Sequence, residues 1–271
     1  MSASVIRPYV LPAILLAMML ALMLGSSWND SAIMDELAHV PAGYSYVFLR
    51  DYRLNPEHPP LVKMLAALPL AFTRVMFPTD TKSWAEDVNG QWDQGRMFLY
   101  ESGNDAERIL RLMRLPVMLL AVALGWLLWR WVDMHFGSRV ALLTLFFYSL
   151  SPTFIAHSRF VTTDLAAAFG FFIGMAAFLL FLKAPTRRNI LLAGLAFGTA
   201  QLLKFSLVLL VPIYGVLLLA WAFSQTQFLW RERIGLFFRL GSKVIAIVIV
   251  AIALIWLAYA YSVWNYPAGR Q

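Results

Sequence analysis

Long apolar runs separated by short basic or proline-bearing connections dominate the chain. They cover residues 9–28, 115–132, 140–155, 165–182, 190–203, 205–223 and 244–261. A bilayer span takes about 20 apolar residues. As one helix, 190–223 would be about 50 Å long at 1.5 Å per residue, against a hydrocarbon core of about 30 Å, so the chain must turn within 201–206. The pattern predicts an all-α integral membrane protein with about seven transmembrane helices. The first run also fits a cleaved signal peptide ending near Ser27, but the spans that follow favour an uncleaved helix.

Between the first two runs lies a long polar segment, 29–114, with twelve of the fifteen acidic residues. Asp30 or Ser31 is expected to cap a helix over 34–49. Residues 56–60 lead stiffly into a second helix, 61–77, interrupted at Pro69. Trp84 and Trp92 are expected as interfacial anchors, and Asn104 with Glu107 as a capping box that opens the next span. The domain plan is therefore a first helix at 1–28, a loop with juxtamembrane helices at 29–114, a six-helix region at 115–263 and a tail at 264–271.

Composition supports the lipid setting. The chain is 61% hydrophobic and 14% charged, with no cysteine, where soluble domains carry about 25% charged residues. A net charge of +7 raises nucleic acid as a partner, but no basic run tracks a phosphate backbone. The cations instead sort by loop. Arg7, then Arg130 and Arg139, then Lys183, Arg187 and Arg188, then Arg231, Arg233, Arg239 and Lys243 occupy alternate connections. Short basic loops face the cytoplasm. The expectation is a multi-pass protein of the plasma (inner) membrane, with 29–114 on the extracytoplasmic side.

Four stretches carry chemistry. In "MDELAHV", Asp35 and His39 share a helix face, with Glu36 about 100° away; they read either as surface polar residues or as a site with Asp35 as general base. In "RLNPEHPPLVK", prolines hold Glu57 and His58 on a stiff stem, and Lys63 follows. A carboxylate and an imidazole suit a divalent metal or a phosphate, and a plain proline-led helix start is the alternative. In "AHSRFVTTDLA", Arg159 offers a phosphate fork and Asp164 a second carboxylate; a polar turn capped by Thr162 or Thr163 is the ordinary alternative. Lys204 in "LLKFSL" serves a phosphate or snorkels toward headgroups. The loop charges send all four stretches to one membrane face, and no ionisable residue sits deep in an apolar run. That arrangement favours an enzyme at the membrane surface over a transporter.

"DELAHVPAGYSYVFLRDYRLNPEHPPLVKMLAALPL" and "SPTFIAHSRFVTTDLAAAF" resemble the GT-C fold glycosyltransferases, within them the protein mannosyltransferase-like and aminoarabinose transferase-like enzymes. The resemblance implies transfer of a hexose or pentose from a polyprenyl-phosphate carrier to a hydroxyl or amine of a protein or glycolipid. By that likeness Asp35 and Asp164 are catalytic, and His58, Lys63, Arg159 and Lys204 hold the donor phosphate. Glu57 takes a divalent metal of unspecified identity, and Glu36 and His39 are further residues of the site. The rival reading is a non-catalytic lipid-carrier-binding or flippase-type subunit. Relatives run on past the point where this chain ends, so a truncated frame or one half of a split enzyme is expected.

Overall fold

The computed structural model describes residues 3–267, with side chains from Tyr9 onward. The end of the expected tail, 268–271, and the Arg7 side chain lie outside the described residues. Within them every regular element is helical. In order these are α1 (Ala3–Ser27), α2 (Met34–Tyr44), α3 (Leu61–Ala67), α4 (Lys82–Ala85), α5 (Gln91–Arg96) and α6 (Ala106–Phe136). There follow α7 (Ser138–Ser149), α8 (Pro152–Ser158), α9 (Asp164–Lys183), α10 (Arg187–Leu203), α11 (Leu210–Phe223) and α12 (Trp230–Ser262).

All the apolar runs are helical, but they are not equivalent as spans. Among the described residues, Tyr9–Ser27, Ala106–Phe136, Asp164–Lys183, Phe205–Phe223 and Trp230–Ser262 are long and apolar enough to cross a membrane. The run expected at 140–155 is instead the pair α7 and α8, bent by 59°. Pro152 explains the break: Ser151 before it is extended, at φ −66° and ψ 120°, as a following proline demands. The run at 190–203 is α10, whose 17 residues reach about 26 Å, the short limit for a span.

The chain forms two compact units. The first comprises Met1–Glu57, Val62–Ala166 and Ser262–Gln271; the second comprises His58–Leu61 and Ala167–Tyr261. In the first, α1, α6 and α7 pack on one another. Tyr148 on α7 reaches α6 and donates its hydroxyl to the Ala121 carbonyl at 2.8 Å, so this buried phenol does not go unpaired. Beside this bundle, α2 packs on α5. Gly95 makes the approach possible, because a Cβ there would collide with the Leu37 backbone.

Two helix starts differ from expectation. Asp30 and Ser31 do not cap α2; its cap is Ile33, whose N–H donates back to Glu36 Oε2 at 3.2 Å. The α6 cap is Asp105, which accepts from the Arg108 N–H at 3.0 Å, one residue after the expected Asn104. Asn104 is occupied elsewhere, accepting from the Met76 N–H and donating to the Met76 and Phe98 carbonyls. The expected helix 61–77 ends earlier, as α3 and a 3-10 turn at Leu68–Phe72 that Pro69 opens.

The second unit builds its core from Phe178, Phe197, Leu210, Tyr214, Leu218 and Ile247. Small residues let its helices meet closely, the usual device where lipid removes the hydrophobic drive. A Cβ at Gly194 of α10 would lie 2.6 Å from Val250 Cβ and 2.9 Å from the Ile247 carbonyl oxygen on α12. Gly194→Leu should therefore cost about 1–3 kcal/mol by overpacking, read as a lower unfolding temperature in detergent. An unchanged melt would mean that α10 and α12 do not touch at this point.

Candidate active site

The first turn of α2 points two adjacent carboxylates in different directions. Asp35 is exposed and has no partner among the described residues, at a helix end where the backbone dipole favours negative charge. Glu36, about 100° further round the helix, is fully buried. Arg114 of α6 grips it with Nε to Oε1 at 2.9 Å and Nη2 to Oε2 at 2.7 Å. The same guanidinium donates to the carbonyls of Ser27, Asp30 and Ser31. A buried charge pair is tolerable only when its remaining donors are satisfied, and here one arginine also binds the chain between α1 and α2.

From the same helix two groups reach the "HSRFVTTD" stretch. The Val161 N–H donates to Glu36 Oε1 at 3.0 Å, and the Val161 carbonyl accepts from His39 Nδ1 at 2.7 Å. This bond places the proton of a neutral His39 on Nδ1. Both backbone groups of Val161 are thus held by α2, which ties the 159–164 stretch to this helix. Glu36 and His39 hold the backbone here and do not face solvent.

Arg159 Nη1 pairs with Asp30 Oδ2 at 3.1 Å and donates to the Ser26 carbonyl at 2.5 Å. Its Nε and Nη2 have no partner among the described residues, so one edge of the fork remains available to an anion. Its plane stacks on the Phe160 ring at 4.6 Å. Asp164 opens α9 and meets His157 Nδ1 at 3.3 Å, both about half exposed. This part of the first unit therefore presents three carboxylates, Asp30, Asp35 and Asp164, with an imidazole and a half-open guanidinium.

In the proline-stiffened stretch Glu57 stays exposed while Lys63 is tied down. Lys63 is fully buried, donating to Tyr46 Oη at 3.0 Å, the Asn55 carbonyl at 2.9 Å and Asn55 Oδ1 at 2.8 Å. Burial pushes its ammonium well below the usual lysine range, with Glu57 pulling weakly the other way. Asn55 takes up left-handed backbone at φ 50°, which asparagine tolerates best among residues with a side chain. Its N–H donates to Asn89 Oδ1 and its side-chain amide to Gln91 Oε1. Arg53 forks onto Asp51, donates to the Trp84 carbonyl and stacks on the Trp84 ring at 4.0 Å. Trp84 is accordingly buried and not an interfacial anchor, whereas Trp92 is 41% exposed.

Glu57 accepts from Asn89 Nδ2 at 2.9 Å and Gln91 Nε2 at 2.7 Å on one oxygen, and from Asn55 Nδ2 at 3.3 Å on the other. Amide donors facing a carboxylate suit the anion and oppose a cation. No group of three or more His, Asp or Glu side chains able to hold a metal ion occurs among the described residues. Lys63→Met keeps the length and removes the donors to Asn55 and Tyr46. It should loosen residues 51–57 by about 1–3 kcal/mol, seen as faster trypsin cleavage after Arg53. Unchanged cleavage would show that the lysine does not hold this loop.

His58 and Lys204 belong to the second unit. Lys204 is extended, at φ −155° and ψ 134°, between α10 and the 3-10 turn Phe205–Leu209. Arg114 was not singled out from the sequence. The available signal was its place as the last charge before an apolar run, in step with Arg108 and Arg111 at helical spacing.

The family model for dolichyl-phosphate-mannose-protein mannosyltransferase matches residues 13–267. Among solved structures, the fold is similar to that of the S. cerevisiae protein O-mannosyltransferase Pmt1-Pmt2 complex bound to the sugar donor. The TM-score is 0.66 at 19% identity, over 95% of this chain and 34% of that one. This chain thus spans about a third of the length of that protein. No curated protein matches it. With the family model matched from the first membrane helix to the end of the described residues, the chain belongs to the dolichyl-phosphate-mannose-protein mannosyltransferase family.

Proposed function

We propose that the chain carries the catalytic face of a membrane mannosyltransferase. It would move mannose from a polyprenyl-phosphate carrier to a hydroxyl of a protein on the extracytoplasmic side. The observation that carries this reading is the Asp35–Glu36 pair, one carboxylate exposed with no partner among the described residues and the next buried against Arg114. A base must be positioned yet available, and this arrangement meets both needs.

In the reaction, the acceptor oxygen forms a bond to the anomeric carbon while the bond from that carbon to the phosphate oxygen breaks. The acceptor proton passes to Asp35. The carrier leaves as a phosphate monoester, whose growing charge meets the available edge of Arg159. Asp164, tethered to His157, is the second candidate for the proton. Lys63 shapes the loop and is not assigned to the phosphate, and no step runs through a metal. His58 and Lys204 lie in the second unit and are assigned no step.

The test is transfer of radiolabelled mannose from a defined polyprenyl phosphate to a peptide bearing serine and threonine. It uses the longest natural form of the protein that contains these residues, in lipid vesicles. Mannosyl peptide is expected. Binding of the donor with no transfer to a peptide or a glycolipid acceptor would sink the enzymatic reading in favour of a carrier-binding subunit.

A further inference from the structure

The first unit exposes apolar side chains where a membrane-crossing helix leaves the bilayer. Leu68 is 51% exposed, Phe72 91% and Met76 68%. Fully solvated phenylalanine beside leucine and methionine is unusual on a water-facing surface. Leu70, from the same 3-10 turn, is buried, so the turn has an inner and an outer face.

The level of this patch can be read from α6. Its 31 residues span about 46 Å, well beyond the hydrocarbon thickness of about 30 Å, so the helix must run out into the headgroups. Arg111 and Arg130 lie on α6 about 28 Å apart by helical rise, which matches the two edges of the apolar layer. At the first edge Arg111 stacks on the Trp28 ring at 4.5 Å and donates to the Trp28 carbonyl at 3.0 Å. A tryptophan with an arginine is the usual marker of a membrane interface.

The turn Leu68–Phe72 packs on α6, so it lies no farther from the bilayer than the level at which α6 begins. Met76 is fastened to Asn104, just before α6, by a bond in each direction. That level is about 10 Å from Arg111 by helical rise, while the headgroup layer is about 5–7 Å deep. Long side chains cover the difference. Arg74 and Arg108 are also exposed there and carry the charge that lipid phosphates attract.

We propose that Leu68, Phe72 and Met76 insert into the lipid surface around the start of α6, anchoring the α2–α5 region to the membrane by a contact separate from the spans. The occupant is the bilayer, with Arg74 and Arg108 on its phosphates. The proposal does not depend on the transferase reading or on which membrane side this is.

The chain has no cysteine, so one introduced thiol reports alone. Phe72→Cys and Met76→Cys, labelled with an environment-sensitive dye, are placed in vesicles made with brominated phosphatidylcholine. Ile14→Cys on α1 serves as the lipid-facing reference. Quenching by bromine at Phe72 and Met76 should approach that at Ile14, with iodide in the buffer several-fold less effective than on free dye. Iodide quenching equal to that of free dye, without bromine quenching, would overturn the proposal by placing the patch in water. Protection from both quenchers would overturn it equally, by placing the patch under protein.

Discussion

Asp35→Asn should lower mannosyl transfer about 10²–10⁴-fold, the usual contribution of a positioned general base, while donor binding stays intact. The amide keeps the carboxylate's shape and cannot take a proton. Asp35 is exposed and has no side-chain partner among the described residues, so the melt should fall only by what the helix-end charge contributes, about 0.3–1 kcal/mol. That separates a chemical effect from a structural one. Asp164→Asn is the matched comparison, and it also removes the partner of His157. If Asp35→Asn turns over normally and Asp164→Asn does not, the base is Asp164. If neither matters, neither of these two carboxylates takes the proton.

The membrane helices were legible in the sequence because lipid imposes one simple demand, about 20 apolar residues in a row. Their exceptions have local causes that hydropathy averages away. Pro152 forces Ser151 out of helical geometry and bends the run at 140–155. Of the four stretches expected to share a site, two meet in the structure: "DELAH" and "HSRFVTTD" are joined at Val161. The roles within each stretch were not. Exposure separates Asp35 from Glu36, and only tertiary contact decides it, because the deciding partner, Arg114, is 78 residues away. The phosphate role expected for Lys63 required an accessible ammonium. Its burial depends on Asn55 adopting a left-handed backbone and on amides from the 89–91 segment, and no periodicity encodes either.

The Glu36–Arg114 pair should be the most sensitive point of the first unit. Both side chains are essentially inaccessible, at 1% and 0% exposure, and deleting one partner leaves the other as a buried, uncompensated charge. Such deletions cost about 3–5 kcal/mol, a large share of the roughly 5–15 kcal/mol that keeps a domain folded. Arg114→Ala also strands the carbonyls of Ser27, Asp30 and Ser31, so it should be worse than Glu36→Gln. The amide can still accept from Arg114 on its oxygen, but its nitrogen cannot replace the second acceptor. Arg114→Lys keeps the charge and loses the fork, and should fall between the two. The expected order of unfolding temperature in detergent is wild type, Glu36→Gln, Arg114→Lys, Arg114→Ala. A readout at the site distinguishes positioning from stability alone: at a temperature where Glu36→Gln remains folded, the Val161 clamp is weakened and transfer should fall with donor affinity little changed. Equal melts for wild type and Arg114→Ala would mean that the pair is not buried as described, and the geometry around Asp35 would have to be rebuilt.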